Sequence, residues 1–234
     1  MMTAGAHTLR YVCALMVSTA PAEPTLEKPR LRGWSHEIGF FVALAATAAL
    51  VLTTHGAARA AGAVFGGCLS LLLGTSALYH RVDWQPEARA RMRRADHAAI
   101  FILIAGGYTP LFALVPSSAG GHGALAVMWG GALLGVVKSI AWPKAPKWVT
   151  ALVCVVLGWV GTGQVVDRAH VVGSVCVAML VAAGAIYSLG ALVYALKRPD
   201  PAPRVFGYHE VFHAAVLVAS GCLFAHVVLV IRAV

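Results

Sequence analysis

The stretch YHEVFHAAVLVASGCLFAHVVLVI, residues 208–231, begins with ionisable side chains and continues as an apolar run long enough to cross a bilayer. An α-helix turns about 100° per residue, so His209 and His213 project from the same face about one turn apart. Two imidazoles in this arrangement can bind one metal ion, and the stretch also fits the pattern H-E-x-x-H. Ionisable groups at the end of a membrane helix are costly unless they pair or bind a ligand. The stretch therefore predicts a transmembrane helix that carries part of a metal site.

The composition predicts a polytopic membrane protein. Of the 234 residues, 59% are hydrophobic and only 12% are charged. Six more apolar stretches precede the last one, so we expect an all-α integral membrane protein built as a seven-transmembrane helix bundle. The expected spans are residues 35–54, 60–80, 97–115, 123–142, 148–166, 170–196 and 209–231.

The first 34 residues contain several prolines and no apolar run long enough to span a membrane. We expect residues 1–34 to form a largely flexible cytoplasmic tail and residues 35–234 to form the transmembrane domain. Ser35 is the expected N-cap of the first helix. The run Gly106–Pro110 is expected to bend the third helix, because proline removes a backbone hydrogen bond.

Four glycines are spaced as helix-packing positions. Gly62 and Gly66 stand four residues apart on the second span, and Gly131 and Gly135 stand four apart on the fourth. Small residues at this spacing allow two membrane helices to approach closely. We therefore expect another helix to pack directly on each pair.

The distribution of basic residues predicts the orientation in the membrane. Fifteen of the eighteen Lys and Arg residues fall in the tail and in the second, fourth and sixth connections. The positive-inside rule then places the N-terminus in the cytoplasm and the C-terminus outside. The net charge of +9 is explained by this topology and by contact with anionic lipid, so no nucleic-acid binding is expected.

This topology brings polar residues from distant parts of the sequence to the inner membrane boundary. The second span ends at His80, and the last span begins at His209 and His213. These three histidines are the predicted ligands of a catalytic-type Zn²⁺ site with water in the fourth position. Bound Zn²⁺ lowers the pKa of water to about 7, which generates hydroxide. A single histidine in a membrane helix is more often a packing residue, but the spaced pair favours metal binding.

Asp96 and Ser76 are the candidate catalytic residues. Asp96 is expected at the head of the third span, where a carboxylate could orient or deprotonate the water. Ser76 lies one turn before His80 on the same face and could donate a hydrogen bond to a ligand, the water or an oxyanion. The alternatives are an ion pair of Asp96 with Arg93 or Arg94, and a packing role for Ser76.

Other ionisable residues lie at the same inner end. His36 and His97 are adjacent to the predicted ligands and could support them. Glu37 and Glu210 either hydrogen-bond a ligand imidazole or cap a helix start, where a carboxylate complements the helix dipole. The capping role is favoured.

Together, these motifs resemble those of the progestin and adipoQ receptor (PAQR) superfamily, and more closely its bacterial branch, the hemolysin III family. The resemblance rests on Ser76-x-x-x-His80, Asp96 and His209-x-x-x-His213, with supporting runs, and covers roughly residues 30–231. It implies a seven-helix bundle in the bacterial inner membrane, with Zn²⁺ held by three histidines near the cytoplasmic leaflet. It also implies that the aspartate and the serine act around the bound water.

The resemblance implies competing functions. Adiponectin receptors and alkaline ceramidases of the wider superfamily suggest a zinc-dependent hydrolase of a lipid amide or ester, with membrane lipid as substrate and a role in lipid homeostasis. The hemolysin name suggests instead a cytolytic pore-former, although spans four to six carry hardly any charge besides Lys138. A third alternative is a receptor-like protein in which zinc only staples helices. An H-E-x-x-H metalloprotease is disfavoured, because no aspartate precedes a glycine.

Overall fold

The computed structural model describes residues 28–115, 121–163, 165 and 168–234, and these residues form seven long α-helices and no β-strand. The predicted all-α class is therefore confirmed. The expected tail lies outside the described residues up to position 27. The helices are α1 (Trp34–Thr53), α2 (Gly56–Arg81), α3 (Pro86–Leu114), α4 (Gly121–Ala141), α5 (Lys147–Gly163), α6 (Ser174–Leu196) and α7 (Tyr208–Ala233), and a single helical turn, Ala169–Val172, precedes α6.

The helices identify a multi-pass membrane protein. Six of them are long and apolar enough to span a bilayer, and the exception is α5, with 17 residues. At 1.5 Å per residue α5 is about 26 Å long, somewhat less than the hydrocarbon thickness of about 30 Å. Seven spans and the orientation of the termini remain predictions. Large apolar side chains such as Leu52, Leu134 and Phe41 point outward and are more than 60% exposed, as expected for a surface that faces lipid.

The close helix packing predicted at the paired glycines is confirmed. A Cβ atom on Gly66 would lie 2.2 Å from a side-chain carbon of Thr47 in α1, and one on Gly135 would lie 2.2 Å from the ring of Phe101 in α3. Corresponding atoms on Gly62 and Gly131 would lie 3.2 Å and 2.5 Å from leucine side chains of α1 and α5. The small residues therefore permit neighbouring helices to contact these faces directly.

Two predicted helix starts are wrong. Helix α3 begins at Pro86 rather than near residue 97, so Asp96 lies well inside the helix and not at its head. Proline suits the first helical position, and the following Ala, Arg, Glu and Met residues are strong helix formers. The N-cap of α1 is Gly33 rather than Ser35. The chain turns there with φ of +83°, a conformation that glycine adopts without strain.

The connections predicted to lie on one side do meet at one end of the bundle. The segment before α1 pairs with the α6–α7 connection, because the Arg30 backbone N–H donates to the Arg204 carbonyl at 3.1 Å. Lys28 forms an ion pair with Asp83 of the α2–α3 connection. Arg93 of α3 donates to the Pro143 carbonyl in the α4–α5 connection. This end, which the distribution of basic residues predicts to be cytoplasmic, is called the inner end below.

Candidate metal centre

Three histidines from two helices form a compact group at the inner end. His80 lies in the last turn of α2, while His209 and His213 lie in the first two turns of α7. Their ligand atoms all lie within 4.8 Å of one another, and the Nε2 atoms of His80 and His209 are 3.2 Å apart. The three ring centroids are separated by 4.5 to 5.0 Å. The structure thus brings together the three predicted ligands, two expected from their spacing and His80 from the topology, in a group that could hold a metal ion.

The geometry of the group fits a small divalent cation. Two ligands of a tetrahedral zinc with bonds of 2.0–2.1 Å stand about 3.3 Å apart, close to the separation of the His80 and His209 nitrogens. His213 is 2% exposed, and among the described residues its Nδ1 atom has no hydrogen-bond partner. A buried polar atom without a partner is unfavourable. Three imidazoles are a donor set typical of zinc, so the residues present fit the predicted ion.

A fourth histidine supports the group from α1. The His36 ring stacks on the His213 ring with centroids 3.8 Å apart and planes only 4° from parallel. His36 is itself 2% exposed, so this contact is buried and leaves the His213 ring little freedom to rotate. The sequence indicated only that His36 lies near the site, and the stacking contact could not be derived from it.

The segment before α1 covers the group on its inner side. Gly33 packs against His80 so closely that a Cβ atom on the glycine would lie 2.7 Å from the His80 Cβ. One residue earlier, the Arg32 guanidinium forms an ion pair with the buried carboxylate of Glu210. Glu210 also accepts a hydrogen bond of 2.9 Å from the Gly207 backbone N–H at the start of α7. The capping role expected for Glu210 is therefore confirmed.

Asp96 and Ser76 share a cavity with His209 and His213. Ser76 is buried, and its hydroxyl is a hydrogen-bond partner of the Asp96 carboxyl group. Among the described residues, no ion pair includes Asp96, and Arg93 is directed instead to the Pro143 carbonyl. The hydrogen bond with Ser76 links the carboxyl group of α3 to α2. The catalytic roles of both residues remain predictions.

A cavity joins these residues to the interior of the bundle. Its volume is about 160 Å³, well above the ~10–15 Å³ that a cavity needs to hold one water molecule. At the inner end it is lined by His209, His213, Asp96 and Ser76, and His36 and His97 line it as well. From there it continues between α3, α5, α6 and α7 along mostly apolar side chains. A molecule in this cavity would have one end at the polar group and the remainder among hydrocarbon side chains.

His226 lies apart from this group, as its position along α7 predicts. Its Nδ1 atom is 3.2 Å from the Cys176 Sγ near the start of α6, at the opposite end of that helix from the α6–α7 connection. Both residues are buried, at 0% and 1% exposure. His226 therefore contributes to packing at the outer end of the bundle and does not belong to the candidate metal centre.

The comparisons with known proteins identify the family of this chain. A family model described as Haemolysin-III related matches residues 25–224. The Hemolysin-3 homolog of Bacillus subtilis (strain 168) is 26% identical over 204 residues, which cover 86% of this chain and 92% of the relative. Hemolysin-3 of Bacillus cereus is 27% identical over 194 residues, which cover 81% of this chain and 85% of the relative. The chain therefore belongs to the haemolysin-III-related family of membrane proteins.

Proposed function

We propose that the protein is a zinc-dependent hydrolase of a lipid amide or ester within the membrane. One observation carries the proposal: His209 and His213 of the histidine group, together with Asp96 and Ser76, line one end of a cavity whose other walls are mostly apolar. Catalytic zinc sites have three protein ligands and one open position, whereas structural sites are closed by four. The three histidines provide a site of the open kind.

The histidines would hold the ion, and the surrounding residues would hold the histidines. A zinc ion bound by three imidazoles supplies a Lewis acid that makes water nucleophilic near neutral pH. His36 fixes the plane of the His213 ring, and Gly33 lets the backbone pack against His80. Support of this kind keeps ligands at the geometry that the metal needs.

Asp96 is suited to move the proton. Its carboxylate would accept a proton at an Oδ atom as water attacks the lipid carbonyl carbon, and would return it to the leaving nitrogen or oxygen. One water is consumed, the carbonyl bond to the leaving group breaks, and a carboxylic acid and an amine or alcohol result. Ser76 would orient the Asp96 carboxyl group through their hydrogen bond.

The cavity favours a substrate with an acyl chain. Its walls along α3, α5 and α6 include Leu103, Ile104, Val155 and Leu180, which offer no partner to a polar substrate. A hydrocarbon chain can lie in such a site without leaving polar groups unpaired. A lipid carbonyl at the inner end and its chain in the cavity would satisfy both parts of the site.

Metal analysis and turnover of the purified protein test this function. Wild-type protein should contain about one zinc per chain and hydrolyse a ceramide-like amide or an ester lipid, and the double variant His209→Ala/His213→Ala should lose both. Asp96→Asn should retain the metal and lose turnover. His170→Gln, which changes an exposed histidine, is the matched control and should retain both.

Two results would contradict the proposal. One is hydrolysis that persists in His80→Ala protein. The other is leakage of liposomes that is caused by the wild type and is insensitive to chelation, together with no hydrolysis of any lipid. The second result would favour the activity to which the name of the Bacillus cereus relative refers.

A further inference from the structure

An aromatic side chain, that of Tyr108, is among the residues that line the outer end of the cavity. The residues of α3 that line the cavity begin at Asp96 and end at Tyr108, and those of α5 end at Trp159. On α6 and α7 the lining ends at Leu180 and Leu223. Since α3 and α5 run from the inner end outward, Tyr108 and Trp159 mark the far limit of the cavity.

Tyr108 is held across this limit by contacts on several sides. Its hydroxyl donates to the Gly158 carbonyl at 2.6 Å and lies 2.7 Å from the Thr162 Oγ1, so the ring reaches from α3 to α5. The ring lies against Gly161, where an added Cβ would be 2.5 Å from a ring carbon. It also stacks on Phe112 with centroids 5.5 Å apart. Because the ring is 5% exposed and bonded at its tip, it cannot swing out of the cavity end without breaking these contacts.

The distance from the polar residues at the inner end of the cavity to the Tyr108 ring matches the length of one acyl chain. Asp96 and Tyr108 are twelve residues apart on one helix, which corresponds to about 18 Å at 1.5 Å per residue. One leaflet of a bilayer is about 15 Å thick, half of the hydrocarbon core. A chain of ordinary membrane length, with its carbonyl at the histidines, would therefore extend almost to Tyr108.

We propose that Tyr108 sets the upper limit on the length of the acyl chain that the cavity accepts. The inference rests on the proposed function, because it assumes that a lipid carbonyl lies at the inner end. A chain longer than the cavity would either fold back or withdraw its carbonyl from the polar group. Since the detergent micelle and the cavity are both apolar, each extra methylene changes the free energy of transfer from detergent to cavity very little. The fit of the chain to the cavity therefore decides which acid binds.

Competitive binding of fatty acids measures this limit directly. Purified protein in detergent is incubated with equal amounts of lauric, palmitic, stearic, arachidic and behenic acid, and the bound acids are identified by native mass spectrometry. For the wild type we expect the bound fraction to fall sharply beyond one chain length. Tyr108→Ala should shift that boundary to longer acids, with at least a tenfold gain in the ratio of the longest bound acid to palmitic acid.

Three further variants distinguish the effect of the Tyr108 ring from that of its hydrogen bonds and from a loss of side-chain volume elsewhere in the cavity. Tyr108→Phe keeps the ring and should keep the boundary, while Tyr108→Leu should shift it and serves if the alanine variant does not fold. Tyr187→Ala removes a tyrosine from the side wall of the cavity on α6, where its hydroxyl contacts Ser220 at 2.8 Å. That variant widens the cavity and should leave the boundary where it is in the wild type.

The outcomes distinguish the length limit from the hydrolase. If Tyr108→Ala and Tyr108→Leu fold and bind acids with the wild-type boundary, the length limit is overturned and the proposed hydrolysis is unaffected. An equal shift in Tyr187→Ala would also overturn it, because any loss of volume would then suffice. If the boundary moves as expected but no lipid is hydrolysed, the length limit stands and the proposed function fails.

Discussion

Replacing Gly33 with alanine tests whether the segment before α1 determines the position of a metal ligand. Gly33 has φ of +83°, and a left-handed backbone costs an alanine about 1–2 kcal/mol. The new Cβ would lie 2.7 Å from the His80 Cβ, well inside the normal carbon–carbon contact distance of about 3.5–4.0 Å. Since a Cβ atom moves only with its backbone, His80 and the segment before α1 must move apart by about 1 Å.

The size of the expected effect follows from these contacts. Overpacking of this kind costs about 1–3 kcal/mol, so strain and overlap together should destabilise the fold by about 2–5 kcal/mol. Zinc–ligand distances tolerate only about 0.2 Å. A displaced His80 should therefore lower zinc affinity by about 10- to 100-fold, the usual effect of losing support around a ligand.

The control variant is Gly56→Ala. Gly56 also has a positive φ, +54°, but nothing lies within 4 Å of an added Cβ. This variant should lose about 1–2 kcal/mol from backbone strain alone and bind zinc as the wild type does. Zinc affinity is measured by competition with a chelator, and stability is measured by thermal unfolding with and without zinc.

The reasoning is refuted if Gly33→Ala binds zinc with wild-type affinity while its unfolding temperature falls no further than that of Gly56→Ala. Such a result would mean that His80 is held by α2 alone. The contact with the segment before α1 would then be incidental.

Two more variant pairs test other contacts, each with a matched control. Arg32→Met leaves the Glu210 carboxylate, 3% exposed, without its cation and should destabilise the protein by about 3–5 kcal/mol in thermal unfolding. Arg81→Met breaks the exposed ion pair of Arg81 with Glu37 and should cost about 1 kcal/mol or less. Equal losses of stability in the two variants would contradict this account. Gly66→Ala places a Cβ 2.2 Å from a threonine side chain of α1 and should lower the free energy of unfolding by about 1–3 kcal/mol. Gly67→Ala meets nothing within 4 Å and should leave the stability unchanged or raise it by up to about 1 kcal/mol. A Gly66→Ala protein as stable as the wild type would show that α1 can move away from α2.

The histidine group could be predicted from sequence because its geometry depends on local and topological rules. The spacing of His209 and His213 places them on one face of any helix. The distribution of basic residues places His80 at the same end of the bundle. No knowledge of side-chain packing was needed for either step, and the structure brings all three together.

Other features depend on helix rotation and packing, which local patterns do not encode. The stacking of His36 on His213 requires a particular rotation of α1 relative to α7. The start of α3 was misplaced because an arginine-rich segment resembles a loop by charge, although its residues favour helix. The bend expected at the run ending at Pro110 stays a prediction, and the sequence does not indicate that Tyr108 within this run contacts α5.

Helix α3 carries the interfacial arginines, Asp96 and Tyr108 on one continuous element of 29 residues. The distance between Asp96 and Tyr108 is therefore fixed by the rise of a single helix and does not depend on the thickness of the surrounding bilayer. If the membrane becomes thicker or thinner, α3 can tilt or shift along the membrane normal without a change in this distance. The range of acyl-chain lengths that the cavity accepts should for this reason be the same in thin and thick membranes.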